Sequence, residues 1–322
     1  LGQQPVAVAA PGQAHQPVFD GGLPITGWRV AERDGRTCWE VELPEVAAGR
    51  WYFRQLFVSG ERRPRARVPK VGPEYPGGLA ARFFRMDGVL EPARYGKTRA
   101  DWQAGSYTFR VAAGDFRSWQ RLTDIDVVAL HFWIDERLPV AAYDEATRTV
   151  TSARCSRFRL SSGFNDRGAR YYLDNVAEAL TEPGEWYLER LTGRLAYLPR
   201  PGETPENTVV YTPRLTQLPQ LHGDPDANRY VEFLRFQELT FEHADWVEPE
   251  YLPDRTALHE PSIPEVQYAS STQAAMQVPA ALHLAGARYC AFENCTVRHV
   301  GGYAVELSDG CSGVRLAGNT LH

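Results

Sequence analysis

No run of about 18 apolar residues occurs in this 322-residue chain, so no segment reads as a membrane-spanning helix. The first residues do not show the basic-then-apolar pattern of a secretory signal. Positive charge is not in surplus either. The formal net charge is −5, the pI is near 6.0 and no basic run stands out, which argues against a nucleic-acid partner. Cysteine is scarce and odd in number: Cys38, Cys155, Cys290, Cys295 and Cys311 have no zinc-ligand spacing. Cys290 and Cys295 fall in columns that Leu, Val or Asn occupy elsewhere, so buried or half-buried free thiols are expected. Also missing is the 3.6-residue rhythm of paired helices.

In its place is a period of two. Apolar residues alternate at 234 and 236, 282 and 284, and 305 and 307, the pattern of strands. Three stretches, "FLRFQELTFEH" (233–243), "YCAFENCTVRH" (289–299) and "GVRLAGNTLH" (313–322), align without gaps. Leu234, Cys290 and Val314 share a column, as do Phe236, Phe292 and Leu316, then Thr240, Thr296 and Thr320, then Phe241, Val297 and Leu321. The second and third copies are 24 residues apart, a coil length that marks a solenoid of short strands. Gly and Asn at the corners, in "AGAR" (285–288), "VGGY" (300–303) and "SDGCSG" (308–313), suit sharp turns. Asn294 and Asn319 are expected to form a side-chain ladder. The predicted fold is an all-β parallel β-helix.

The first and second copies are 56 residues apart, so that interval holds an ordinary coil plus roughly 32 inserted residues. The insertion is placed at 245–273, rich in Pro, acids and aromatics, and long loops of a repeat array commonly line its working face. Upstream, 1–27 reads as a first β-helix coil. Residues 28–204 read as an inserted, antiparallel, sandwich-like module, and 205–322 as resumed coils truncated at the C-terminal end. Within the insert, hairpins are predicted about Asp34-Gly35 and Thr192-Gly193, and a strand over 126–137. The one helical stretch is predicted in 165–180. In "RPRARVP", alternation puts Arg65 and Arg67 on one face, where ion pairing is the plainer reading beside anion binding.

The segments "QLFVSGERRPRARVP", "YYLDNVAEALTEPGEWYLERLTGRLAYLP" and "LTFEHADW…PAALHLAGARYCAFENCTVRHVGGYAVEL" resemble bacterial right-handed parallel β-helix glycoside hydrolases, relatives of the α-L-fucosidase and xylanase members of that fold. The resemblance covers nearly the whole chain and implies a right-handed coil. It also implies an internal piece of a longer protein, and a secreted or periplasmic hydrolase of plant cell-wall or related glycans. The substrate would be a polysaccharide or oligosaccharide, with neither nucleic acid nor membrane as partner and no cofactor. It implies two catalytic carboxylates, mostly on coils beyond these residues, and transfers no catalytic motif.

Stacking of the columns nominates candidates from the residues themselves. His243 falls over His299, with His322 in the adjacent column, and His283 falls against Glu306, with Asp309 at the next corner. Asp245 and Trp246 open the long insertion. A polar outward residue on such a coil is usually solvated surface. The clustering supports Glu306, Asp309 and Asp245 as acid or base, and Trp246, His243, His299, His283 and His322 as substrate-binding groups. Eight tryptophans and acidic loops suit the C–H faces of sugars. Zinc on His243, His299 and Asp245 is not expected, because a fourth ligand is lacking, and one acid in "SDGCSG" is too few for calcium. His131 and His15 read as structural. A polysaccharide lyase, needing a Lys or Arg base beside an Asp cluster, and a non-catalytic glycan-binding adhesin are the alternatives.

Overall fold

The computed structural model describes residues 16–72, 81–88, 104–165, 167–246, 268–270 and 278–322, with the backbone course of Val6–Val8. These residues are mostly β, with several small sheets and only single helical turns among them. Nearly all of the 245–273 insertion, and His15, lie outside the described residues.

Four sheets among the described residues are wholly parallel, the pair Val231–Glu232 with Ala287–Arg288 and three longer ladders. The first orders Val6–Val8, Leu234–Gln237, Ala291–Glu293 and Arg315–Ala317. The second orders Val18–Asp20, Thr240–Glu242, Thr296–Arg298 and Thr320–Leu321. The third orders Gln220–His222, Leu282–Ala285 and Val305–Leu307. The register is the one the columns require: Phe236 pairs with Phe292 and Phe292 with Leu316, while Phe241 pairs with Val297 and Val297 with Leu321. Phe236 and Phe292 stack at 4.5 Å and 10°. The file is buried at Phe236 and Phe292, but Leu316 is 44% exposed, since no described strand covers its far side.

The corners differ from expectation in an informative way. Left-handed backbone recurs at matched positions: Phe233, Tyr289 and Gly313; Glu238, Asn294 and Gly318; His243 and His299. Glycine holds only some of them. For the other residues this conformation costs on the order of 1 kcal/mol or more, and stacking of like side chains offsets it, as in Phe233 on Tyr289 at 5.5 Å and 10°. The expected Asn294–Asn319 ladder is not formed, because Glu293 pairs with Ala317 and the two asparagines stand one register apart. Instead the Asn319 amide receives the Cys295 N–H and donates to the Phe292 carbonyl.

The antiparallel part is built in layers. One sheet orders Thr108–Arg110, Thr149–Ser152, Ile134–Asp144, Asp126–His131, Arg170–Asp174 and Arg67–Val68. A second holds Trp186–Leu188, Arg194–Tyr197, Arg36–Glu42 and Arg29–Arg33, and a third Gly22–Pro24, Val210–Pro213, Leu56–Val58 and Glu61–Arg63. Alternation along the middle sheet sends Cys38, Tyr187 and Ala196 into one core and Trp39, Trp186, Leu195 and Tyr197 into the other. Two cores therefore share one sheet.

Both predicted hairpins form, with Asp34 and Gly35 at positive φ and Leu188 opposite Leu195. The strand predicted over 126–137 is instead a hairpin, turning at Phe132 and Trp133 so that His131 faces Ile134. Residues 165–180 yield a strand, Arg170–Asp174, and one 3-10 turn, Ala177–Ala179. A further helical turn, Pro44–Ala47, starts on a proline suited to a first helical position. All five cysteines are free, four of them buried.

Candidate functional site

The second ladder ends at His243 and His299, whose left-handed corners put both rings in one file. The rings stack at 5.0 Å and 19°, and Tyr211 covers the other face of His243 at 5.2 Å and 9°. Phe57 leans on both, at 4.9 and 4.7 Å, and His322 stands 6.5 Å from His299. Asp20 Oδ1 lies 2.8 Å from His243 Nδ1 and also accepts the Gly22 N–H. Burial, then the neighbouring His243 and Arg298, press the His299 pKa down to about 4, against the pull of Glu242. His299 is therefore neutral at pH 7.

Chain spacing groups Asp245 with the two imidazoles. The acid that joins the imidazoles is Glu242, whose ligand-type atoms lie with those of His243 and His299 within 4.8 Å of one another. Among the described residues, His243 Nε2 and His299 Nδ1 have no hydrogen-bond partner. The near-parallel rings aim their lone pairs side by side, however, and Glu242 Oε2 is taken by Arg298 at 2.5 Å. The arrangement is a stacked wall rather than a closed coordination shell.

Beyond this corner the chain enters a cleft of about 850 Å³. Asp245 and Trp246 form one part of its lining, and Trp51, Tyr52, Arg54, Asp124 and Arg190 belong to the antiparallel layers. Asp245 is held by its own N–H on the Leu215 carbonyl and by Gln55, which donates to its carboxylate at 2.8 Å. Gly301 lets the ladder corner come this close, since a Cβ there would meet Gln55 Nε2 at 2.6 Å and Trp246 Cδ1 at 2.7 Å. Burial raises the Asp245 carboxyl above the usual range, outweighing the Gln55 bond, the Trp246 N–H and the arginines Arg54 and Arg62. Burial raises Asp124 likewise, against bonds from Tyr187 Oη at 2.5 Å and the Arg190 N–H at 3.0 Å.

Asp126 behaves in the opposite way. Burial alone would raise it, but Arg54, Arg190, Arg65 and Arg137 outweigh burial and hold its carboxyl well below the usual range. Arg54 and Arg190 reach it at 3.3 and 3.0 Å. Arg65, expected on an ion-paired face, is buried on Asp174 at 2.9 Å and donates to Tyr52 Oη at 2.6 Å. Arg67 turns from that pairing to the Pro69 and Arg82 carbonyls and covers the Tyr172 ring at 3.7 Å.

The residues grouped from sequence thus separate into three places. His243 and His299 share the corner file, with His322 beside it in the adjacent column, and Asp245 and Trp246 share the cleft. His283 lies on the third ladder beside Glu306, at 3.7 Å, with His222 at 3.0 Å and Ser308 at 3.1 Å. Asp309 sits exposed at a corner, its carbonyl receiving the Gly286 N–H. His131 is buried between Glu136 and the Arg159 carbonyl, a structural role. Sequence reasoning did not nominate Tyr52, Arg54, Asp124, Asp126 or Arg190. The available signal was Asp126, a carboxylate opening the apolar strand "DVVALH".

No protein-family model matches the chain, and no curated protein matches it by sequence. A solved structure described as "Glycoside hydrolase" is similar to it, with a TM-score of 0.65 and 23% identity. The match covers 95% of this chain and 53% of that one, so the chain spans about half of the structure it resembles. At this identity the likeness is one of fold.

Proposed function

We propose that the chain is part of a secreted or periplasmic glycoside hydrolase acting on plant cell-wall or related glycans. In this reading the ladders are coils of a right-handed parallel β-helix (1–27 and 205–322) and 28–204 is an inserted antiparallel module. The observation that carries the proposal is the cleft, whose lining brings together a carboxyl of raised pKa, Asp245, and the side chains of Trp51, Tyr52 and Trp246. Aromatic side chains pack against sugar rings, and a carboxyl whose pKa is raised by burial is the better placed to give its proton to a leaving glycosidic oxygen. Asp245 is the acid in this scheme. The second carboxyl is Asp124, Glu306, Asp309 or a residue of further coils, and the histidine files extend the saccharide-binding wall. The likeness to a glycoside hydrolase fold supports the class.

The test is release of reducing ends from cell-wall glycans. Asp245→Asn is expected to lower the rate by about 100-fold or more. Activity is expected to fall as pH rises through the raised Asp245 pKa, since the acid must be protonated. An unchanged rate in Asp245→Asn removes the assignment. One observation favours a lyase as the second reading: Arg54 and Arg190 flank the Tyr52 phenol at the cleft. Products with 4,5-unsaturated ends would decide for it.

A further inference from the structure

Two imidazoles on the third ladder take no part in lining the cleft. Alternation along the strands sets their direction. Leu221, Leu282 and Leu284 are buried, so His222 on one strand and His283 on the next project from the opposite face. The register sets Gln220 opposite His283 and His222 opposite Ala285. Ala285 ends at its Cβ, and the His222 ring lies diagonally across toward His283. His222 Nε2 thereby stands 3.0 Å from His283 Nδ1, with the ring centroids 5.0 Å apart and the planes crossed at 86°.

The far side of the His283 ring decides which nitrogen keeps the proton. Ser308 Oγ lies 3.1 Å from His283 Nε2, and Glu306 Oε1 lies 3.7 Å from it. The Ser308 hydroxyl donates to the Leu284 carbonyl at 3.1 Å, so its oxygen accepts from His283, and a carboxylate oxygen only accepts. Both groups hold a proton on Nε2 and leave the Nδ1 lone pair turned toward His222. A metal-binding histidine is arranged in this way, with its outer N–H held by an acceptor while the other nitrogen ligates. Two imidazole nitrogens on one tetrahedral ion, each about 2.0–2.1 Å from it, stand about 3.3 Å apart. This pair is close to that separation. The corner file differs, because His243 and His299 lie near parallel at 19° and their nitrogens do not face each other.

The geometry points to a divalent transition-metal site in which His222 Nε2 and His283 Nδ1 are the ligands and Ser308 and Glu306 orient His283. The ion takes the place of the proton that the two rings share. Imidazole donors select Zn²⁺, Cu²⁺ or Ni²⁺ over Ca²⁺ and Mg²⁺, which take oxygen ligands. His222 is exposed and His283 half-buried, so an ion reaches the pair from solvent and its remaining positions are open to water or to an oxygen of a ligand. The site is independent of the role of the cleft in saccharide binding.

The experiment is calorimetric titration of the chain with zinc chloride in a buffer that does not bind the ion. One equivalent is expected to bind, and His222→Gln and His283→Gln should each weaken it about tenfold or more. Glu306→Gln removes the charge behind His283 and should weaken it by about tenfold. His299→Gln, in the corner file, should leave it unchanged, and calcium chloride should not compete. His222 is exposed at a strand end, so its substitution should not move the metal-free Tm. Electron paramagnetic resonance with less than one equivalent of Cu²⁺ counts the ligating nitrogens: two in the unaltered chain and one in His222→Gln. The proposal is overturned if zinc does not bind, if both histidine variants bind it as well as the unaltered chain, or if His299→Gln alone abolishes binding. Equal competition by calcium, or a single coordinated nitrogen in the unaltered chain, overturns it as well.

Discussion

The parallel ladders and the antiparallel layers bury different things. In the ladders the interior is a short file of like side chains, Phe236 on Phe292 and Phe241 opposite Val297, and the charged pairs stay toward the outside. Arg235 and Arg315 close on Glu293 there with 42% and 70% of their side chains exposed. In the antiparallel part guanidiniums go inside. Arg65 keeps 5% of its side-chain exposure and Asp126 none. A stack of parallel strands is stabilised step by step, each strand by its neighbours. A buried charge network holds only as a whole, because a missing partner leaves an uncompensated charge. One chain thus contains a region that weakens gradually and a region that fails at single positions.

The largest expected effect tests that contrast directly. Asp126→Asn leaves Arg54, Arg65 and Arg190 without their shared counter-charge and should cost about 3–5 kcal/mol in urea unfolding. A loss under about 1 kcal/mol would show that the network is slack. Phe292→Ala empties the middle of the stacked file and should cost about 3 kcal/mol, the low end for such a truncation. The reason for the low end is that Phe292 already borders a cavity of about 220 Å³ with Leu316 and Leu321.

Next in size is a pH effect confined to the ladder corner. The folded His299 pKa, about 4, lies below its ordinary value of 6.5, so between those values the unfolded chain binds a proton that the folded chain does not. Stability therefore rises with pH across that window and is lost as pH falls from 6.5 toward 4. The loss should be at most about 3 kcal/mol, at about 1.4 kcal/mol per pKa unit, and His299→Gln should flatten it in Tm against pH. The smallest effect belongs to Arg29→Ala, whose pair with Glu42 is 68% and 70% exposed. It should change stability by less than about 0.5 kcal/mol, in contrast to the same residue types inside the network.

Much of the fold could be read in advance where the signal was local or periodic. Alternation by two and the 24-residue step placed Phe236, Phe292 and Leu316 in one file, and Asp34-Gly35 announced its own turn. The hairpin inside 126–137 was hidden because Phe132 and Trp133 carry no turn chemistry, and Phe132 takes positive φ without being Gly or Asn. The asparagine ladder failed by a single register step, which in a coil selects a different neighbour.

The site was less legible. Column stacking brought His243 to His299 and His283 to Glu306, as their spacing requires. It could not show that Asp245 turns away from both pairs toward Gln55, a residue 190 positions earlier.

Determined by the sequence alone are the strand period, the coil step and the order of side chains along each file, because these follow from neighbours along the chain or one coil away. Tertiary structure alone decided which charges lie inside, which carboxyls burial pushes up in pKa and which arginines meet in the cleft. Those outcomes depend on burial and on contacts between segments more than a hundred residues apart, such as Arg65 with Asp174, and no local pattern encodes desolvation.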